Sequence, residues 1–178
     1  MRKLTVLLAI CCLFAAGDAF SQFKAGFGFI GGLPSGDFGD IANFGAGGYI
    51  EAKYGVTDKI YPGIQVAFLG FAGADFDAGI GVPISFSATT MIPILITGDY
   101  YFLDGKIAPY AGIGLGPYII SSGVVDPFTG VEIDVNNTEF GFSPHAGVMV
   151  GKFNLGVAYH LVSDTDFFAF NLGFLFGS

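Results

Sequence analysis

Beyond residue 21 the sequence contains no cysteine, no arginine and no apolar run approaching the ~18–20 residues of a membrane-spanning helix. Each absence excludes something. Without cysteine there is neither a disulfide framework nor a thiolate metal site. Five lysines, Lys24, Lys53, Lys59, Lys106 and Lys152, stand against fourteen acids over residues 22–178, a balance of −9, which makes a poor nucleic-acid binder. Without a long apolar run, helical spans are ruled out, although the chain is 52% hydrophobic.

The cysteines, Cys11 and Cys12, sit in an N-terminal segment with its own grammar. Arg2 and Lys3 precede an apolar run from Leu4 to Ala16, and small residues follow at Gly17, Ala19 and Ser21. That is a secretory signal peptide, with cleavage expected after Ser21, or alternatively after Ala19. Ile10 before Cys11 and Cys11 before Cys12 are not the small residues that lipoprotein processing wants. Residues 1–21 are therefore read as the signal and 22–178 as one domain.

Alternation decides what that domain is. Phe23, Ala25, Phe27 and Phe29 share one face of an extended strand, with Lys24, Gly26, Gly28 and Ile30 on the other. Phe140, Phe142, Pro144, Ala146, Val148 and Val150 alternate with Glu139, Gly141, Ser143, His145, Gly147 and Met149. Phe168, Phe170, Leu172, Phe174 and Phe176 alternate with Ala169, Asn171, Gly173 and Leu175. In a soluble barrel the second row would face water and be thick with Lys, Glu and Thr. Here it is mostly glycine, which weakens a strand unless space demands it. The lumen of an eight-stranded barrel makes that demand.

Tight turns at 54–59, 103–106 and 151–154 alternate with longer segments near 32–44, 72–85, 121–137 and 163–166. Strands are thus expected at 23–31, 45–55, 60–71, 86–102, 107–120, 138–150, 153–162 and 167–176. The reading is all-β, a closed antiparallel up-and-down transmembrane β-barrel of eight strands, with short periplasmic turns and longer extracellular loops. Tyr54, Tyr100 and Phe102 are expected as interface anchors at the periplasmic rim. Nothing is left over for a peptidoglycan-binding extension.

The run Gly32-Leu33-Pro34-Ser35-Gly36-Asp37-Phe38-Gly39-Asp40, then Gly45-Ala46-Gly47-Gly48 and Tyr54-Gly55-Val56-Thr57-Asp58, resembles the opening of the small porin-like outer-membrane β-barrel family, which includes the OmpA-type and OmpX-type barrels. Ile107 to Gly116 resembles its central strand, and Asp99-Tyr100-Tyr101-Phe102 the strand before it. The resemblance covers most of residues 22–178. It implies bacterial outer-membrane localisation, insertion by the barrel-assembly machinery and contact with outer-membrane lipids and lipopolysaccharide, with no catalytic residues and no cofactor. One departure is at the end, where Asn171, Gly173 and Phe176 fit the assembly signal but Gly177 and Ser178 follow.

Lys24, Glu51, Lys53, Gln65, Asp99, Tyr101, Glu139, His145 and His160 fall at lumen-side parities and are expected to form a polar network, because a buried ion without a partner is costly. Lys24 or Lys53 should pair with Glu51, Asp99 or Glu139. The preferred function is a structural or surface-interaction barrel with a filled lumen. A narrow channel or carrier for a small or hydrophobic solute is the alternative, motivated by Ile80, Val82, Pro83 and Ile84 in the second loop. A lipid hydrolase built on Ser143, His145 and Glu139 is weaker, since Glu139 lies about 13 Å along the strand from Ser143. Gly26-Phe27-Gly28-Phe29-Ile30-Gly31 matches a dinucleotide fingerprint, but Pro34 and Gly36 preclude the helix it needs. Nine of the fourteen acids, Asp37, Asp40, Asp75, Asp77, Asp126, Glu132, Asp134, Asp164 and Asp166, fall in the four long loops without one Lys or Arg. The Asp75/Asp77 and Asp164/Asp166 pairs are the candidates for recruiting Ca²⁺ or Mg²⁺.

Overall fold

Every strand keeps its alternation because one face meets a crowded interior and the other does not. In the computed structural model, which describes residues 22–73, 75–77, 83–85, 88–125 and 132–177, the chain forms β1 (Phe23–Pro34), α1 (Phe38–Ile41), β2 (Ala42–Tyr54), β3 (Ile60–Gly73), β4 (Asp75–Asp77), β5 (Pro83–Ser85), β6 (Thr89–Tyr101), β7 (Ile107–Val125), β8 (Glu132–Val150), β9 (Phe153–His160) and β10 (Phe167–Gly177). Eight of these close into an antiparallel barrel in the order β1-β10-β9-β8-β7-β6-β3-β2. The seam is β1 against β10, in register from Lys24↔Gly177 to Pro34↔Phe167. Closure leaves neither terminal strand with an open edge. β4 and β5 form a separate small hairpin in the second long connection. Residues 1–21, including the expected signal, lie outside the described residues, as do Ile80, Val82 and Asp126.

The expected third loop is mostly strand. β7 and β8 pair without a break from Ile107↔Val150 out to Val125↔Glu132, so the hairpin runs well past the expected ends at 120 and 138. Ile119, Ile120, Val124, Val125, Ile133 and Val135 supply the β-branched side chains that favour such an extension. In the first long loop α1 was not anticipated, since four residues carry too little periodicity to reveal a helix.

The short connections are stitched to one another. Gly151 takes φ +63 and Gly105 φ +127, conformations that favour glycine, and the Gly151 N–H donates to Lys106 O at 2.7 Å. Thr57 Oγ1 accepts from the N–H groups of Lys59 and Ile60.

The outer wall is apolar and uncovered. Phe29, Ile96 and Phe140 are each more than 70% exposed, and Ile50, Phe68, Ile113, Val157 and Phe170 are about half exposed or more, so that each of the eight barrel strands carries an exposed apolar side chain. Tyr54, Tyr100 and Phe102 are exposed at the turn end. Soluble monomers rarely expose contiguous apolar patches above a few hundred Å², and a continuous belt of this kind is the outer surface of a transmembrane barrel. No helix among the described residues is long and apolar enough to cross a membrane.

Candidate functional site: the closed lumen

The interior divides into two storeys. In the storey nearer the short turns, lumen-side parity places Glu51 and Lys53 on β2, Thr97, Asp99 and Tyr101 on β6, Tyr110 on β7, Ser143 and His145 on β8 and Asn154 on β9, all buried or partly so. Lys53 Nζ lies 2.8 Å from Glu51 Oε2 and 2.6 Å from Asp99 Oδ2. The second approach falls off the hydrogen-bond direction, so it is an ion pair rather than a directed bond. Asp99 Oδ1 accepts from His145 Nε2 at 2.7 Å. The Tyr110 hydroxyl donates to Asn154 Oδ1 at 2.8 Å, and Asn154 Nδ2 donates to Glu51 Oε1 at 3.3 Å. One ammonium thus sits between two carboxylates, and each carboxylate has a further partner. Such completeness is what keeps buried charges tolerable.

Glycine makes the meeting geometrically feasible. Gly112 on β7 stands in register between Asp99 on β6 and His145 on β8. A Cβ there would come 2.5 Å from His145 Nε2 and 2.6 Å from Gly98 O, and would strike Asp99 Oδ1 as well. The two side chains bond across the space that glycine leaves. Gly63 leaves room between Lys53 and Thr97, where a Cβ would meet Lys53 Cγ at 2.8 Å and Thr97 Oγ1 at 3.0 Å, although these two side chains do not bond to one another.

Lys24 takes another path. Its Nζ lies 4.1 Å from the centroid of Tyr61 and 5.2 Å from that of Tyr101, and no carboxylate pairs with it among the described residues. Tyr101 packs edge-on to Tyr61. Gln65 lines a small enclosed cavity with Thr97, Ser143 and Asn171. That cavity measures about 20 Å³, close to the minimum that holds a single water.

The storey nearer the long loops is aromatic. The Tyr118 hydroxyl and His160 Nδ1 share a hydrogen bond at 2.7 Å, and the His160 ring stacks on Phe167 with centroids 4.3 Å apart and planes 3° from parallel. Phe167 meets Phe71 edge-on at 5.4 Å, and Phe71 meets Phe38 of α1 at 5.1 Å. Leu69, Phe71, Met91, Tyr118 and Phe167 have no exposed surface, and Phe38 has 1%. α1 therefore lowers a phenyl ring into the barrel mouth and completes an apolar plug. His160 belongs here and not to the ion network of the other storey. Parity alone had grouped them.

The remaining candidates are dispersed. Glu139 accepts from Asn137 Nδ2 at 2.7 Å and meets no lysine. The hydrolase set is not assembled: His145 Nε2 is bound to Asp99 and its Nδ1 faces the backbone carbonyl of Ser143 at 3.2 Å, which leaves no ring nitrogen for the Ser143 hydroxyl. Asp166 accepts from the Val162 N–H at 2.9 Å and from the Tyr159 hydroxyl at 3.4 Å, and its own carbonyl accepts from the Ser35 N–H at 2.9 Å. Asp164 is exposed at φ 56. The side chains of Asp75, Asp77, Pro83, Ile84, Glu132 and Asp134 lie outside the described residues. Among the described residues no three His, Cys, Asp or Glu side chains converge as a metal site.

No protein-family model matches the sequence, and no curated protein sequence matches it significantly. Solved structures do. Ail, the attachment invasion locus protein of Yersinia pestis, in complex with the heparin analogue sucrose octasulfate, is similar over 87% of this chain and 98% of its own, with a TM-score of 0.57 at 12% identity. Neisserial surface protein A is similar over 88% of this chain and 97% of its own, with a TM-score of 0.55 at 16% identity. With its apolar outer wall, filled lumen and closed order of strands, the chain has the fold of the small eight-stranded outer-membrane β-barrels.

Proposed function

We propose that the protein is a closed surface barrel of the bacterial outer membrane, exported by the signal at residues 1–21, that acts through its loop-end rim and not through its lumen. The observation that carries this reading is the double closure of the interior: an ion-paired storey, whose own cavity has room for about one water, and an aromatic plug in series with it. A conducting path needs polar continuity from end to end. Leu69, Phe71, Met91 and Phe167 interrupt it.

The rim supplies the working surface. Asp37, Asp40 and Asp164 are exposed there, and the long loops carry no cation. Ail is described with a sulfated, polyanionic ligand, and an acidic rim does not suit such a ligand without mediation. The chemistry fits divalent cations bridging the acids to lipopolysaccharide phosphates, since hard cations prefer carboxylate oxygens. In planar bilayers the refolded protein is expected to give no steady single-channel steps, and co-sedimentation with lipopolysaccharide is expected to fall when EDTA is added. Stable conductance of the wild-type protein would overturn the closed-lumen reading.

A further inference from the structure

The turn end of the barrel carries a notch that the lumen does not use. It lies between the β2–β3 and β6–β7 turns, is lined by Thr57, Asp58, Lys59, Ile60, Tyr100 and Asp104, and measures about 340 Å³, toward the lower end of the range for small-molecule sites. Hydrogen bonds within the turns fix its walls. Thr57 Oγ1 accepts from the N–H groups of Lys59 and Ile60, and the Lys59 carbonyl accepts from the Tyr101 N–H at 2.8 Å, which ties the first turn to the strand that leads into the second.

Two surfaces meet at this notch. On the lipid side Ile60 and Tyr100 are register partners, both exposed on the outer wall, and Tyr100 packs edge-on to Phe102. One step further from the rim, outward parity places Pro62 against Gly98, and a Cβ at Gly98 would meet nothing within 4 Å. The wall therefore dips beside Tyr100, with Ile64 and Ile96 exposed beyond the dip. On the water side Asp58, Lys59 and Asp104 are exposed, and among the described residues the Lys59 ammonium pairs with neither acid. One cation and two carboxylates thus stand unpaired at the level where exposed tyrosine and phenylalanine rings mark the boundary of the hydrocarbon.

We propose that this notch binds the phosphoethanolamine headgroup of a phospholipid in the leaflet that faces the short turns, with Lys59 on the phosphate, Asp58 and Asp104 on the ammonium, and an acyl chain laid over Gly98. Charge selects the headgroup. The complement of one cation and two acids is a group that carries both an anion and a primary amine. A purely anionic headgroup meets two carboxylates, and a quaternary ammonium has no N–H to donate to them. A bare divalent cation is repelled by the Lys59 ammonium, and no further acid, histidine or cysteine joins Asp58 and Asp104 among the described residues. Position selects a lipid over a solute from bulk water, which would leave Ile60 and Tyr100 without an apolar partner. The site lies at the opposite end from the acidic rim and is independent of the closed-lumen reading.

The test uses the full barrel refolded in detergent micelles doped with phosphatidylethanolamine, phosphatidylglycerol or phosphatidylcholine of one acyl composition, with bound lipid read by native mass spectrometry. The ethanolamine lipid is expected to be retained at least roughly threefold more than either of the others. Asp58→Asn/Asp104→Asn should abolish its advantage over the glycerol lipid, and Lys59→Gln should lower its retention by a similar factor. Lys152→Gln removes the same charge from the β8–β9 turn, outside the notch, and should leave retention unchanged. Should the double variant fail to show the heat-modifiable gel shift of a folded barrel, Gly98→Leu decides: it fills the dip on the outer wall and should lower retention of the ethanolamine lipid by roughly twofold or more. Equal retention of all the lipids, a preference for the glycerol lipid, or an ethanolamine preference that survives in the folded double variant or, failing that, in Gly98→Leu would overturn the proposal. An equal loss in Lys59→Gln and Lys152→Gln would reduce the site to diffuse attraction at the rim and overturn it as well.

Discussion

The two storeys of the lumen fill the same cylinder by opposite means. Near the turns, Lys53, Glu51, Asp99 and His145 depend on one another's charge and direction, with Gly63 and Gly112 holding open the space in which they meet. Near the loops, Phe71, Phe167, Tyr118 and Phe38 depend on shape, and the polar pair within the stack, Tyr118 with His160, bonds through Nδ1 while His160 Nε2 finds no partner among the described residues. The first kind of filling is specific but fails badly when one member is lost. The second tolerates small changes of shape and excludes water. In series they make a wall that is both registered and dry.

The largest expected effect comes from breaking the charged storey. Lys53→Ala strands two carboxylates that are almost wholly buried and should destabilise by about 3–5 kcal/mol in urea unfolding from lipid vesicles. Replacing the set together, Glu51→Gln with Lys53→Met and Asp99→Asn, should recover most of that loss, because the penalty belongs to the unpaired ion and not to the missing pair. If the triple variant is as unstable as Lys53→Ala, the ion-pair account is wrong. In the aromatic storey Phe71→Ala opens a cavity where no solvent enters and should cost about 3 kcal/mol. Among the described residues no side-chain hydrogen bond or ion pair joins the two storeys, so Lys53→Ala and Phe71→Ala should add to within about 0.5 kcal/mol. A larger coupling would show the interior to be one unit.

A smaller effect tests the glycine that joins three strands. Gly112→Ala puts a methyl between Asp99 and His145, and overpacking of that kind costs about 1–3 kcal/mol. The same change at Gly70, where a Cβ meets nothing within 4 Å, should cost far less. Equal losses at both positions would mean that strand entropy, and not the Asp99–His145 approach, explains the glycine.

Period-two patterning made the wall legible. It placed Phe27, Phe29, Phe140 and Phe170 outside and Lys53, Glu51 and Asp99 inside, because a strand has only two faces and only one can be lipid-facing. It could not show which inward residues meet, since that depends on strand stagger around the closed barrel. So Lys24 and His160 were assigned to a network that the fold distributes over three places: Lys24 on tyrosine faces, His160 in the plug, Lys53 with the acids. The aromatic plug was missed for a related reason. Phe71 and Phe167 stand on lumen parity, but a phenylalanine in a membrane strand reads first as a lipid-facing residue. The extension of β7 and β8 had a visible signal in Val124, Val125, Ile133 and Val135, interrupted by acids that made it read as a loop.

The smallest effects belong to the rim, where the two acids of the last loop are not equivalent. Asp166 holds the loop together through the Val162 N–H and the Tyr159 hydroxyl, which itself lies 3.3 Å from Ser35 Oγ across the seam. Asp166→Ala should therefore cost about 1–2 kcal/mol by leaving these donors short of an acceptor. Asp164 is exposed and makes no such bond among the described residues, and Asp164→Asn keeps a residue type that tolerates its left-handed backbone. That substitution should be close to neutral in the absence of divalent ions. The contrast separates structure from recruitment. Binding to the folded state must raise the thermal midpoint, so a rim that gathers Ca²⁺ diffusely should gain about 2 °C in millimolar Ca²⁺, with part of the gain lost in Asp164→Asn and all of it suppressed by high monovalent salt. A midpoint that does not move with Ca²⁺ would leave the acids as a solvated, mutually repelling fringe, and the rim would then owe its order to Asp166 and its neighbours alone.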